Sequence, residues 1–297
     1  MRILIPVDDH PLSETILRFL AARPGLLRKS PRIELVNVQL PMPRAISERF
    51  GDEAVSRVLS EEGERVFASL EGVLKELDLA VEKRVLVGER GPAIAAEAER
   101  FKADLILMGA RGRSPMKTLL LGSVSTSVLE YAHVPVLLVQ EMPILEKSRL
   151  SATLAVDGSD YGEAAAAFMA AEPEFFGPAT HVDVLYVAPD AAERAAGEET
   201  DFVTVHDEFM KRTAEWDAEA RRATESVVKT LAEAGFDAQA VVLAGDPAQK
   251  IAEHASEKSD MIVMGSHGWG EFKSAVLGST AMKVASETKL PILVIRH

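Results

Sequence analysis

Short apolar runs alternate with longer amphipathic segments along the whole chain. Continuous apolar runs are typical of buried parallel strands, whereas an apolar spacing of three or four residues indicates a helix. The runs cover residues 3–8, 33–38, 104–108 and 134–139, and again 153–157, 181–187, 260–264 and 290–295. Helices are predicted near 12–22, 54–77, 91–102 and 123–132, and near 161–172, 206–234, 247–258 and 279–288.

The second half of the chain repeats the first. Asp8 precedes its counterpart Asp157 by 149 residues, whereas Gly109 precedes Gly265 by 156. Seven extra residues are therefore expected in the second half. The acidic stretch 190–201 is the expected place for them, because a surface loop tolerates insertions at little cost.

Each repeat is long enough to form one domain, since domains commonly contain about 100–200 residues. We place the domains at residues 1–143 and 149–297, with the boundary in the segment 141–148. Strands alternating with helices predict an α/β fold in which each half forms an open five-stranded parallel sheet with helices on both faces. Ligands of such sheets bind beyond the carboxyl ends of the strands.

A glycine-spaced loop occurs once in each half, directly after an apolar strand. Residues 109–123 read GARGRSPMKTLLLGS, and residues 265–279 read GSHGWGEFKSAVLGS. Each loop has two glycines three apart, then nine residues, then Gly-Ser. Glycine permits positive φ and close backbone approach, and a Gly-Ser that opens a helix offers N–H groups and a hydroxyl to an anion. Both loops are therefore predicted to bind phosphate.

Composition and charge narrow the class of protein. The chain has no cysteine, which excludes disulfides and thiolate metal sites, and its net charge of −13 argues against nonspecific binding of nucleic acid. No apolar run approaches the ~20 residues that span a bilayer, and the chain opens on a strand rather than on a signal peptide. We expect a cytoplasmic protein with no nucleic-acid or membrane partner.

The residues favour binding over turnover. Neither a Gly-x-Ser-x-Gly elbow nor a Gly-x4-Gly-Lys-Ser/Thr loop is present, and no activating base can be assigned to Ser123 or Ser279. His10 and His267 lack the spacing of a metal site. We therefore predict no catalytic residue and no metal held by a cluster of side chains, with weak ATP hydrolysis at most.

The candidate site residues also have simpler interpretations. Asp8 could cap the turn or helix that follows it, because aspartate is a preferred capping residue. Val38, Val187, Met108 and Met264, taken singly, fit the apolar core as well as they fit a ligand site.

The chain resembles the universal stress proteins (UspA-like) in their tandem two-domain form. The resemblance is carried by residues 6–8 (PVD) and 156–159 (VDGS), by the two Gly-x2-Gly-x9-Gly-Ser loops, and by the turns 88–92 (GERGP) and 245–247 (GDP). It implies an adenine nucleotide alpha hydrolase-like sheet of strand order 3-2-1-4-5. It also implies ATP, AMP or ADP as ligand, with Mg²⁺ accompanying ATP near Asp8.

The resemblance further implies two binding sites, in which the strand ends meet adenine and ribose and the loops hold phosphates. The residues of the first site are Pro6, Val7, Asp8, Val38, Met108, Gly109, Arg111, Gly112, Arg113, Gly122, Ser123 and Val124. Those of the second site are Val156, Asp157, Val187, Met264, Gly265, Gly268, Gly278, Ser279 and Thr280. The loop of residues 109–123 carries a net charge of +3 and that of 265–279 carries zero, which predicts tighter triphosphate binding at the first site.

The function expected from these features is that of a stress-response or signalling module that binds an adenine nucleotide. Two alternatives stay open: a slow ATPase or nucleotidyl-transfer enzyme, and a nucleotide-free interaction protein. The two halves are expected to pair as a pseudo-dimer through their last strands, residues 134–140 and 290–296. A homodimer and an unidentified protein partner are further expectations.

Overall fold

The computed structural model describes residues 1–110, 121–140, 149–189, 202–266 and 278–296, and of 202–209 and 212 only the helical backbone. The chain forms two compact units. The first is built on Met1–Ser148, and the second on Arg149–Lys273 and Gly278–Ile295. The segment 141–148, in which the domain boundary was predicted, lies outside the described residues.

The first unit alternates strands with helices. Its strands are β1 (Arg2–Pro6), β2 (Arg32–Gln39), β3 (Glu82–Val87), β4 (Leu105–Gly109) and β5 (Val136–Val139). Its helices are α1 (Leu12–Ala21), α2 (Pro24–Arg28), α3 (Arg44–Phe50), α4 (Asp52–Glu76), α5 (Arg90–Phe101) and α6 (Ser123–Tyr131).

The second unit repeats this order. Its strands are β6 (Ser151–Val156), β7 (His181–Ala188), β8 (Asp237–Ala244), β9 (Met261–Gly265) and β10 (Ile292–Ile295). Its helices are α7 (Asp160–Ala171), α8 (Pro173–Phe176), α9 (Phe202–Glu233), α10 (Pro247–Lys258) and α11 (Ser279–Glu287).

The strands within each unit pair in parallel. The order is β3-β2-β1-β4-β5 in the first unit and β8-β7-β6-β9-β10 in the second, so each unit has the order 3-2-1-4-5 when its strands are counted from its own start. The predicted α/β fold with parallel sheets is confirmed.

Apolar burial explains which strands lie at the centre. Strands β1, β4 and β9 read as continuous apolar runs because helices cover both faces of a parallel sheet. At the edges, β3 and β8 carry exposed positions along much of their length. Helix α1 buries Ile16, Leu17 and Leu20 beneath the sheet, and each such side chain contributes about 1.5–3 kcal/mol when it is withdrawn from water.

The strand register locates the insertion that separates the two halves. Glu34 pairs with Glu82 in the first unit, and Asp183 pairs with Gln239 in the second, so the offset between units has grown from 149 to 157 by β8. It falls back to 156 at β4 and β9 because three residues connect α5 to β4, beginning with Lys102 in the left-handed conformation at φ 54°, whereas two connect α10 to β9. The predicted host of the insertion, 190–201, lies outside the described residues.

Helix ends follow local sequence signals. Pro247 occupies the first turn of α10, and Asp246 caps that helix by accepting a hydrogen bond of 2.9 Å from the Gln249 N–H. Among the described residues, no helix is long and apolar enough to span a bilayer.

Candidate functional site

Each unit has a pocket at the carboxyl ends of its central strands. The pocket of the first unit has a volume of about 520 Å³ and that of the second about 480 Å³, both within the range of small-molecule sites. Because parallel strands present their carboxyl ends at one edge of a sheet, residues far apart in sequence meet there. We call them the first pocket and the second pocket.

The first pocket brings together most of the residues predicted for the first site. Those that line it are Pro6, Val7, Asp8, Val38, Met108, Gly109, Gly122, Ser123 and Val124. The other three predicted residues, Arg111, Gly112 and Arg113, lie outside the described residues.

The second pocket is lined by the matching set. Its predicted residues are Val156, Asp157, Val187, Met264, Gly265, Gly278, Ser279 and Thr280. Gly268, the remaining predicted residue, lies outside the described residues.

The helix that follows each glycine loop begins at the pocket without a side-chain cap. Gly122 precedes α6 and donates its N–H to the Ala110 carbonyl at 2.8 Å. Gly278 precedes α11 and makes the same contact, also of 2.8 Å, with the Ser266 carbonyl. Uncapped first-turn N–H groups, together with the positive end of the helix dipole, form an anion site.

Gly122 and Gly278 do not use the positive φ that glycine permits. The angle φ is −67° at Gly122 and −56° at Gly278, which any residue can adopt. Since both residues line a pocket, the missing side chain matters instead because it leaves room for a ligand close to the backbone.

The two strand-end aspartates order the turns that follow them. Oδ1 of Asp8 accepts hydrogen bonds from the His10 N–H at 3.1 Å and from the Ser13 hydroxyl at 3.2 Å. Asp8 does not cap α1, whose N-cap is Pro11. Within the described part of the chain, Oδ2 of Asp8 accepts no hydrogen bond, so a ligand hydroxyl can use it. In the second unit, Oδ1 of Asp157 accepts from the Ser159 N–H at 3.0 Å.

The apolar residues of the two sites belong to the core and also form walls of the pockets. Val38 and Met108 are only 8% and 4% exposed, and both line the first pocket. Val156 and Met264 have the same position in the second. The two interpretations that the sequence left open therefore describe different faces of the same side chains.

Sequence reasoning missed the polar lining of the first pocket. Ser13, Asn37, Gln39, Glu62 and Arg90 all line it. The Asn37 side chain donates to the Val7 carbonyl at 2.9 Å, and Gln39 donates to the Asn37 side-chain oxygen at 2.7 Å. These two residues thereby fix the end of β1 against β2. The signal for them was the break in the apolar run of β2 at Asn37.

Among its described lining residues, the second pocket has no counterpart of this polar set. Tyr186 occupies the register position of Asn37, and Ala188 that of Gln39. Burial, and then the charge of Glu219 and a hydrogen bond to it, raise the pKa of Tyr186 to about 12, so its hydroxyl stays neutral at physiological pH. The two pockets therefore share a backbone frame but differ in chemistry.

Neither pocket was expected to hold a metal ion on a cluster of side chains. Among the described residues, no group of three or more His, Asp or Glu side chains could hold a metal ion. Ser125 donates its hydroxyl to the carbonyls of Gly109 and Ala110, at 2.8 Å and 3.1 Å, and so joins α6 to the end of β4. Ser125 thereby supports the wall of the first pocket.

Comparisons with known proteins agree with the fold and the repeat. The family model described as the universal stress protein family matches residues 1–140 and again 152–296. The chain belongs to the universal stress protein family. A universal stress protein of Mycolicibacterium smegmatis is 29% identical over 99% of this chain and 96% of its own length, and one of Mycobacterium tuberculosis is 27% identical over the same shares.

A solved universal stress protein structure supports the two-domain fold. The protein, from Archaeoglobus fulgidus, covers 99% of this chain and 98% of its own with a TM-score of 0.68. Its sequence identity of 22% limits the likeness to the fold. The tandem architecture of the family is thus present along the whole length of the chain.

Proposed function

We propose that this universal stress protein binds an adenine nucleotide, ATP or its mono- or diphosphate, and that nucleotide occupancy governs a role in cytoplasmic stress response. The observation that carries the proposal is the first pocket, in which the uncapped start of α6 at Gly122 and Ser123 and the strand-end carboxylate of Asp8 line one cavity of about 520 Å³. Such a cavity has a place for phosphate and a place for ribose.

We assign each part of the nucleotide to a different wall of the first pocket. Val38 and Val7 supply apolar surface for the base, and Oδ2 of Asp8 supplies an acceptor for a ribose hydroxyl. The N–H groups at the start of α6 bind phosphate oxygens. Mg²⁺ that arrives with ATP would meet hard carboxylate oxygens at Asp8 and Asp9, which also line the pocket.

Two solved structures that resemble one half of this chain are complexes of universal stress proteins with dAMP and with cAMP. Their TM-scores of 0.33 and 0.35 are too low to carry an argument for this chain. The proposal therefore rests on the first pocket.

The experiment is calorimetric titration of nucleotide-free protein with ATP, and Gly122→Asp is the decisive variant. A carboxylate at this position would fill the space beside the α6 N–H groups and repel phosphate. We expect Gly122→Asp to abolish binding at the first site, while thermal unfolding stays close to that of the parent protein.

Gly72→Asp is the matched control. Gly72 lies on the exposed face of α4, and a Cβ added there would have no heavy atom within 4 Å. The control should bind ATP as the parent does. If the parent protein binds no adenine nucleotide, or if Gly122→Asp binds ATP unchanged, the proposal is wrong. Release of inorganic phosphate or pyrophosphate under saturating ATP would support the enzyme alternative.

A further inference from the structure

Arg90 lines the first pocket together with the start of α6, although it belongs to another helix. It is the first residue of α5 and lines the first pocket. The next residue, Gly91, packs directly on α6, since a Cβ at Gly91 would lie 2.0 Å from the Ser127 hydroxyl oxygen. Ser127 is about one helical turn beyond Ser123. The close contact of Gly91 therefore places Arg90 near the end of the pocket where phosphate is proposed to bind.

Arg90 is also the one cation among the described residues that line the first pocket. The same lining contains the carboxylates of Asp8, Asp9 and Glu62. Arg90 is exposed, and within the described part of the chain it forms no salt bridge. Arg84, by contrast, is paired with Glu97 at 3.3 Å. The guanidinium of Arg90 therefore keeps its donors for a ligand.

The second pocket has no such cation among its described lining residues. Pro247, which begins α10, stands where Arg90 begins α5. The nearby lysines are paired, Lys283 with Asp246 at 3.1 Å and Lys250 with Glu253 at 3.0 Å. The two pockets thus differ in charge at a position outside the glycine loops, where the first has a cation and the second has a proline.

We infer that Arg90 binds phosphate oxygens of the nucleotide in the first pocket and makes this pocket selective for nucleotides over nucleosides. The inference rests on the proposed function and assigns a new residue to it. A guanidinium suits this role because its planar set of N–H donors matches two oxygens of one phosphate. Arg90 and the α6 N–H groups would then bind the phosphate chain from adjacent helices.

The test is calorimetric titration of Arg90→Ala, Arg90→Lys and the parent protein with adenosine, AMP, ADP and ATP at low salt. Hydrogen bonds to charged groups contribute enough that Arg90→Ala should weaken ATP binding at the first site roughly ten- to hundredfold. Adenosine binding should not change, because it has no phosphate. Arg90→Lys should keep part of the ATP affinity, since it retains the charge but loses the planar donor set.

Arg44→Ala is the matched control for the loss of one positive charge. Arg44 lies on α3 with its side chain 91% exposed and does not line the pocket, so its ATP affinity should equal that of the parent. If Arg90→Ala binds ATP as the parent does, or loses adenosine and ATP to the same degree, the inference is wrong while the proposed function stands. If the parent binds no adenine ligand, both are wrong.

Discussion

At the scale of single residues, a buried carboxylate in the second unit connects two histidines. Asp183 accepts from the Gln239 amide at 2.8 Å, and its two oxygens lie 3.0 Å from Nε2 of His181 and 2.7 Å from Nε2 of His254. The other ring nitrogen of His181 lies 2.9 Å from an oxygen of Asp237. Since both ring nitrogens of His181 face carboxylates, the charged ring satisfies both contacts.

These contacts make the stability of the second unit depend on pH. The hydrogen bond with Asp237, joined by Asp183, raises the pKa of His181 against the effect of burial. A raised pKa contributes stability that is fully present below the ordinary value of about 6.5 and is lost as pH rises through the folded value. Burial opposes ionisation of Asp183, but hydrogen bonds from Gln239 and His254 hold its pKa below the ordinary range. That contribution is lost in strong acid.

We predict that His181→Gln removes part of this pH dependence. The parent protein should lose stability of the second unit as the pH rises above about 6.5, and the variant should lose less, because glutamine carries no titrating charge. Urea unfolding at several pH values measures the difference. His133→Gln is the control, since His133 is 78% exposed and lies 4.0 Å from Glu99 in the first unit. Equal pH slopes for the parent and His181→Gln would contradict the prediction.

Some residues of the first pocket could be predicted from the sequence and others could not. Asp8 and Gly122 were predictable because the glycine spacing and the strand-end aspartate appear twice in the chain. Asn37 and Arg90 could not be predicted. A polar residue within a strand or at the start of a helix gives the same sequence pattern whether its side chain faces solvent or a pocket. Arg90 depends on the approach of Gly91 to α6, which is a tertiary contact.

At the scale of secondary-structure elements, α5 is fastened to β2 by an ion cluster. Arg100 on α5 contacts Glu34 on β2 at 2.7 Å and also pairs with Glu97, one turn earlier on its own helix. Both carboxylates are buried. Burial, followed by the hydrogen bond with Glu97, raises the pKa of Glu34. Glu34 precedes Asp183 by 149 residues, so both units bury an acid at one position of the second strand.

We predict that Arg100→Ala destabilises the first unit more than the loss of an exposed ion pair does, because it takes a cation from the buried carboxyl group of Glu34. The effect should be smaller than for a fully buried pair, since the Arg100 side chain is 44% exposed. Adding Glu34→Gln should recover part of the loss, since it removes the buried carboxyl group that is left without Arg100, whereas Glu97 keeps its contact with Arg84. Urea unfolding, with hydrogen exchange of α5 amides, measures both effects.

The control for this cluster is Arg44→Ala, which breaks an exposed pair with Glu48 and should cost about 0.5 kcal/mol or less. An Arg100→Ala effect no larger than that of the control would show that the cluster does not hold α5. Failure of Glu34→Gln to restore any stability would show that the buried charges are not the cause.

The elements themselves were predicted where the pattern was long enough. Helix α10 was predicted at 247–258 and has these bounds, and α4 and α9 begin within four residues of the prediction. The short helices α2, α3 and α8 were missed, since four to seven residues contain at most two turns of periodicity.

At the scale of the whole molecule, repetition explains the fold more fully than it explains the function. The family model matches each half separately, and each unit has its own sheet and its own pocket. Yet some equivalent positions at the two pockets differ, as at Arg90 and Pro247. We expect from this divergence that the two halves keep a common scaffold but differ in the ligands that they prefer.

The last strand of each half leads to the final prediction, that the halves pair as a pseudo-dimer. Residues 134–140 and 290–296 are strongly apolar, and each run forms the last strand of its own unit. A strand that ends a sheet presents unpaired N–H and C=O groups, which favour pairing with another strand.

A protease site placed in the segment 141–148 would allow the linker to be cut without altering either unit. After cleavage, the two fragments should co-elute in size-exclusion chromatography at the position of the intact 32.1 kDa chain. Leu138→Lys, which places a charge in the apolar run, should separate the cleaved fragments, whereas the exposed substitution Gly72→Asp should not. Elution of the cleaved parent protein as two independent monomers would disprove the pairing.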